Sequence, residues 1–290
     1  MKGLLSREPT RTSVGRPMTT AINGLRYHWR EAGGGPPLVL LHGGAAHSGW
    51  FQWMMPRLAT RYRVVAPDLR GNGRTGHADR YTWDDYAADI EALVDLLVGN
   101  RSYYLAGHCS GGYIGMLIAA RGRRPPAALV GMEVLPRLPE RQLAVNWAYA
   151  RRGPKRYPTL VALDRARQAY ARRQGLPLDR GVSLGRELYR RDPCRGGWVP
   201  RSDVRVLAQE PFLTYELAAQ VPCPTLLLRG TASGQLNRIQ FLLIAGALPH
   251  GSFQELAGLG HHFMVEDPDA TCALLERFFE SVGRGEAAPP

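Results

Sequence analysis

Residues 107–112 read Gly-His-Cys-Ser-Gly-Gly (GHCSGG), and whether their centre is the cysteine or the serine decides both fold and chemistry. The stretch follows an apolar run at 102–106 (SYYLA) and opens a helical pattern at 111–121. A strand that turns sharply into a helix lifts the side chain at the turn clear of the sheet, provided the residues two before and two after are small. Cys109 has Gly107 and Gly111 at those places; for Ser110 the preceding flank would be His108, whose bulk suits such a turn badly. The centre is Cys109. A thiol at a helix N-terminus, with a histidine nearby, is expected to have a lowered pKa and a usable thiolate population.

Outward from this turn, apolar strand-like runs alternate with amphipathic helical ones, the pattern of a mostly parallel α/β sheet flanked by helices. Strands are expected at 37–41, 62–66, 102–106, 128–133, 224–229 and 251–256, and helices at 83–97, 111–121 and 267–282. The stretch 136–212 breaks the rhythm: it is rich in Arg, Tyr and Pro, and reads as short helices inserted between two strand–helix units. The expected organisation is a core of 18–135 and 213–283, a helical, Arg-rich cap at 136–212, a disordered extension at 1–17 and a disordered tail at 284–290.

At 290 residues, 44% apolar and 21% charged, the chain can bury one large core with an insertion. No apolar run approaches the ~20 residues that span a bilayer, so no membrane partner is expected. The first residues, MKGLLSREPTRTSVGRP, carry no hydrophobic stretch and do not read as a secretory signal. Cys109, Cys194, Cys223 and Cys272 are widely spaced without a CxxC pair, which fits a reducing cytoplasm rather than a disulfide framework. Eight scattered histidines lack metal-ligand spacing, and no metal or bound cofactor is expected. The net charge of +12 is concentrated: residues 136–205 hold 17 Lys and Arg against 6 Asp and Glu. Such a surface suggests a polyanionic partner, although an arginine-rich proteome would produce one without purpose. No nucleic-acid-binding motif accompanies it.

Four ordered blocks, VLLHGGAAHSGWF, YRVVAPDLRGNGRT, YLAGHCSGGYIG and GLGHHFMVEDPD, resemble the α/β-hydrolase superfamily over roughly residues 24–282. The resemblance implies that fold, with Cys109 as nucleophile. It implies His261 as general base and later acid, because Glu266 and Pro268 follow it five and seven residues on; His262 misses that register and should pack beside it. The oxyanion hole would use the backbone N–H groups of Ser110 and of Gly44 in His42-Gly43-Gly44. The acid departs from the majority pattern, since Gly230-Thr231-Ala232-Ser233 stands where a GxxD is usual. A minority of the superfamily carries the acid after the strand that follows the elbow helix, and there Glu133 fits, holding the tautomer of His261. Asp68 is the reserve candidate. Trp50, Phe51, Trp53, Met54 and Met55 should mostly pack on the sheet, with one or two lining an acyl pocket.

A cysteine nucleophile exchanges one thioester for another of nearly equal energy, whereas a serine would commit the acyl group to an oxygen ester. The Cys-centred elbow and the chain's size resemble the cysteine-dependent aminoacyltransferases of nonribosomal peptide pathways. That resemblance implies an acyl or aminoacyl transferase passing a thioester-bound group between carrier-protein thiols. Acidic acyl or peptidyl carriers would dock on the Arg-rich cap, their phosphopantetheine arm being a substrate group rather than a bound cofactor. The alternatives are a cysteine-dependent ester, thioester or lactone hydrolase, and a non-catalytic ligand-binding protein on the same fold.

Overall fold

The first two strands, β1 (Arg16–Ile22) and β2 (Leu25–Ala32), form an antiparallel hairpin turned by Asn23-Gly24, both at positive φ. An Asn-Gly pair between strands is the strongest short-range hairpin signal. The sequence reading passed over it and began the fold at Met18, whereas β1 starts at Arg16. The computed structural model describes residues 15–137, 140–208 and 215–286, so most of the expected extension (1–14) and part of the expected tail (287–290) lie outside the described residues.

The chain continues through β3 (Pro37–Leu41), the single-turn α1 (Met55–Leu58), β4 (Arg63–Pro67), α2 (Trp83–Val98), β5 (Tyr104–His108), α3 (Ser110–Arg121) and β6 (Ala128–Met132). Then come α4 (Glu140–Arg152), α5 (Leu160–Gln174), α6 (Leu178–Leu188) and a small antiparallel pair, β7 (Tyr189–Arg191) with β8 (Trp198–Pro200). After α7 (Tyr215–Ala219) the alternation resumes with β9 (Thr225–Gly230), α8 (Arg238–Ala247), β10 (Gly251–Leu256), the short α9 (Phe263–Glu266) and α10 (Pro268–Gly283). The eight-stranded sheet has the order β1-β2-β4-β3-β5-β6-β9-β10, parallel from β4 onward. Expected strands and helices fall within two residues of these, but the hairpin, α8 and the β7–β8 pair were not anticipated.

Why these runs are continuously apolar follows from burial on both faces: every residue of β3 and β6 is buried. Alternate side chains serve two cores. Val39, Leu41 and Leu105 face α2, α3 and α8, whose Ile90, Ile114 and Phe241 pack there. Leu38, Leu40 and Ala106 face α1 and α10, meeting Leu58, Leu275 and Phe278. α2 starts at a reciprocal cap in which Thr82 and Asp85 each satisfy the other's backbone N–H. No helix among the described residues is long and apolar enough to cross a membrane.

Candidate active site

The turn between β5 and α3 is tight enough to explain its composition. A Cβ on Gly107 would lie 2.3 Å from the carbonyl oxygen of Gly111, and one on Gly111 would lie 2.3 Å from that of Leu41. Between them Cys109 takes φ 52° and ψ −116°, a conformation that costs a non-glycine residue about 1–3 kcal/mol. Four non-glycine residues have positive φ among those described, and three of them, Ala45, Cys109 and Glu133, border this site. Strain of that kind gathers where geometry is held for chemistry.

Cys109, His261 and Glu133, 152 residues apart in sequence at their extremes, come together. Since a carboxylate can only accept, the His261 Nδ1–H donates to Glu133 Oε2 at 2.9 Å, leaving Nε2 for the thiol, with which the ring is hydrogen-bonded. Burial alone would raise the Cys109 pKa, but the hydrogen bond and charge of His261 and two hydrogen bonds from Ser110 outweigh it and bring it below its ordinary value. Burial would likewise lower His261, yet its bonds to Cys109 and Glu133 push it up to about 9. The two shifts share one cause, the contact between Cys109 and His261, and both favour a thiolate beside an imidazolium. Below the thiol's pKa the sulfur is protonated and unreactive; above about 9 the imidazolium that steadies it is lost. Alkylation by iodoacetamide should therefore begin on Cys109 at a lower pH than on an ordinary thiol, with a change of rate near pH 9, as followed by peptide mass mapping. Buried Cys223 and Cys272, pushed up to about 11 and about 12, should stay unlabelled at neutral pH. A Cys109 that labels no faster than exposed Cys194 would contradict the pairing.

Glu133 is fully buried and saturated: Oε1 accepts from the Gly230 N–H at 2.8 Å, and Oε2 accepts from the Ser233 hydroxyl at 2.6 Å as well as from His261. Sequence reasoning noted Ser233 only as the place where an acid is missing. In the structure that serine is a positioning residue for the acid supplied by the other strand. The signal lay in the motif itself, a hydroxyl standing at the carboxylate's position. Asp68, the reserve candidate, is spent elsewhere: Oδ1 accepts from the Ser48 N–H, and Oδ2 from the Arg74 N–H and His28.

The oxyanion-loop residues are placed by His42, which burial keeps neutral with a pKa pushed down to about 4. Its Nε2 accepts from the Leu69 N–H and its Nδ1–H donates to the Gly43 carbonyl, tying the loop to the turn after β4. Gly44 and Ser110 both line a cavity of about 420 Å³ that opens over Cys109. A Cβ on Gly44 would sit 3.4 Å from Ser110 Oγ, so the two expected hole residues are neighbours. Trp50, Trp83, Tyr113 and Tyr170 give the cavity aromatic walls, Gln142 and Asn146 add amides, and Arg167 is the one arginine lining it among the described residues. Of the aromatic cluster named from sequence, Trp50 reaches the cavity; Phe51, Met54 and Met55 are core, and Trp53 lies under Arg180.

The histidine loop is fastened by Glu266, whose Oε2 accepts from the Gly260 N–H at 2.8 Å. His262 packs as expected, tilted against Trp50 and bonded through Nε2 to the Tyr170 hydroxyl. The sequence did not anticipate that His108 joins the pair: one ring nitrogen from each of His108, His261 and His262 lies within 4.8 Å of the others. These donors are largely committed, however. His108 Nε2–H donates to the His261 carbonyl, both His261 nitrogens serve Cys109 and Glu133, and His262 Nδ1 is buried without a partner. Burial holds His108 and His262 neutral, helped by the charge of His261 beside both and by Arg167 beside His262, so the cluster confines positive charge to His261.

A parallel sheet with an elbow side chain at its centre and a histidine on the loop after the last strand is the arrangement of the α/β-hydrolase class. The alpha/beta hydrolase family profile matches residues 38–274, and the chain belongs to that family. It is 25% identical over 259 residues to 2-(acetamidomethylene)succinate hydrolase of Mesorhizobium japonicum, covering 87% of this chain and 91% of that one. The putative carbamate hydrolase RutD of Caulobacter vibrioides is 28% identical over 294 residues, covering 89% and 96%. A soluble epoxide hydrolase of Corynebacterium sp. is 37% identical, but over 124 residues that span 40% of this chain and 41% of that protein. Among solved structures, E-2-(acetamidomethylene)succinate hydrolase superposes with a TM-score of 0.79 at 23% identity, over 91% of this chain and 99% of the other. The thioesterase domain from the curacin biosynthetic pathway does so with a TM-score of 0.75 at 20% identity, over 90% and 99%.

Proposed function

We propose that the protein is a cysteine-dependent acyl-transfer enzyme that takes an acyl or aminoacyl group from a carrier-bound thioester and passes it to a second thiol through S-acyl-Cys109. The observation that carries this reading is the hydrogen-bonded line of Cys109, His261 and Glu133 opening on a cavity of substrate size. The Cys109 thiolate adds to the carbonyl carbon, and the charge moves to an oxygen received by the N–H groups of Ser110 and Gly44. Two such donors, held in place beforehand, contribute a few kcal/mol to the transition state. Collapse breaks the bond to the donor sulfur, which leaves with the proton of the His261 imidazolium. The incoming thiol returns a proton to His261, attacks the acyl carbon and releases the Cys109 thiolate. Glu133 keeps the imidazole oriented throughout.

An acidic carrier with a phosphopantetheine arm suits both the chemistry and the charge. Several cations of 136–205 have local uses: Arg156, Arg186 and Arg205 pair with Asp192, Asp164 and Asp203. Arg151, Arg152, Arg172 and Arg173 close α4 and α5, where positive charge complements the helix dipole. Arg190 and Arg201 differ. With Arg26 and Arg74 they surround a cleft of about 660 Å³ that no described acidic residue lines, and burial together with Arg74 and Arg190 lowers the Arg201 pKa. Replacing Arg190 and Arg201 with Glu should raise KM for an acidic acyl-carrier about tenfold at low salt, an effect that weakens as salt is added. Acyl-pantetheine lacking the carrier should show no comparable change; equal changes for both substrates would remove the cleft from carrier docking.

The second reading, release of the acyl group to water, is favoured by the hydrolase names of relatives matched over most of their length. The experiment is intact-mass analysis after mixing with acylated carriers and acyl-pantetheines. An adduct on Cys109 that persists in buffer and is discharged by added carrier thiol supports transfer. Rapid loss to water supports hydrolysis. Neither adduct nor turnover with any of them overturns both.

A further inference from the structure

Arg167 stands in the cavity wall without a counter-ion. Among the described residues no carboxylate lies within ion-pair distance of its guanidinium, and its Nε is buried with no hydrogen-bond partner. The two buried arginines among the described residues, Arg70 and Arg229, are matched to Asp89 and Glu255, and half-buried Arg180 and Arg201 donate to backbone carbonyls, whereas the Nε of Arg167 faces no acceptor. A buried donor left without an acceptor is costly, and an anion reaching the guanidinium from the cavity would relieve it.

The side chain is also held in one place. α5 and α6 approach closely through Gly181 and Gly185. A Cβ on Gly185 would fall 2.2 Å from Arg167 Cγ and 2.8 Å from its Nε, so glycine there makes the groove in which the stem lies. The guanidinium then lies over the Tyr170 ring at 4.3 Å, and Tyr170 hydrogen-bonds His262 beside His261. A planar donor fork fixed by a helix on one side and an aromatic face on the other loses little freedom when it receives an anion. Both Arg167 and Cys109 line the same cavity.

We propose that Arg167 is the specificity-determining residue of this cavity and receives an anionic group of the substrate, a carboxylate on the acyl part or a phosphate on the leaving thiol. This rests on the acyl-transfer reading above and narrows it to charged substrates. No covalent step is added; the contact is a charge-assisted hydrogen bond, bidentate when a carboxylate is the partner.

The test uses full-length Cys109→Ala protein, so that ligands bind without turnover, and three ligands: S-butyryl-pantetheine, S-succinyl-pantetheine and S-butyryl-4′-phosphopantetheine. By calorimetry, one of the two anionic ligands should bind about tenfold to a hundredfold more tightly than the neutral one, the range of a charged hydrogen bond. Which one does so identifies the source of the anion. Adding Arg167→Met should reduce that ratio to about threefold or less. Gly185→Ala, which displaces the arginine without removing its charge, should reduce it as well; circular dichroism checks that both variants fold. Equal binding of all three ligands, or a ratio untouched by Arg167→Met, overturns the assignment. The acyl reading is judged separately by S-acylation of Cys109 in the unmodified protein, so the two can fail independently.

Discussion

Cys109→Ala should lower kcat by about 10⁶, to the residual rate that binding and the oxyanion donors give alone, because the nucleophile and its base act as one unit. The same protein should show no acyl adduct in intact-mass spectra. Cys109→Ser separates the two readings of acceptor. A serine hydroxyl does not share its proton with His261 at rest, and the oxygen ester it forms lies below a thioester in energy, so transfer to a thiol becomes uphill. The variant should lose thiol-to-thiol transfer while retaining slow release to water. If Cys109→Ser transferred to thiols as well as the parent, sulfur would have no special part in the reaction and the functional reading would fail.

Glu133→Gln should lower kcat/KM by about a thousandfold. Loss of the corresponding acid costs a serine triad ~10⁴. The smaller figure expected here follows from the lowered Cys109 pKa: a thiol gives up its proton more readily than a serine hydroxyl, so less of the barrier depends on His261 acting as a base. The variant carries a second readout. Glu133 is one of the groups that push the His261 pKa up to about 9, and removing its charge destabilises the imidazolium. The alkaline limb of Cys109 alkylation should shift to lower pH in Glu133→Gln. A structural glutamate, needed only to hold the Gly230 N–H and Ser233, would lower folded yield without moving that limb.

Local signals carried much of the architecture. β3, β5 and β6 are short apolar runs because both their faces are covered, and that leaves a direct trace in composition. Gly107 and Gly111 flank Cys109 because a side chain on either would strike backbone atoms of α3 or β3, so the elbow could be read from spacing alone. The Asn23-Gly24 hairpin is equally local, a two-residue turn whose positive φ values favour this pair. The short pair β7–β8 left no such trace, since three-residue strands have too few side chains to show a period.

The sequence by itself determined the class of fold, the cysteine at the elbow, and the histidine whose spacing to Glu266 and Pro268 sets it apart from its neighbour. Those features are encoded within a dozen residues, where sterics and backbone hydrogen bonding act. Glu133 was named from sequence with Asp68 in reserve, but only the tertiary structure brings its carboxylate to His261, adds Ser233 in support and sets His108 against the imidazole. It alone also placed Arg167 in the cavity, pinned by a glycine from the next helix. Each of these depends on groups far apart in the chain meeting in a low-dielectric interior, where a single unpaired charge or a shared proton outweighs any local preference.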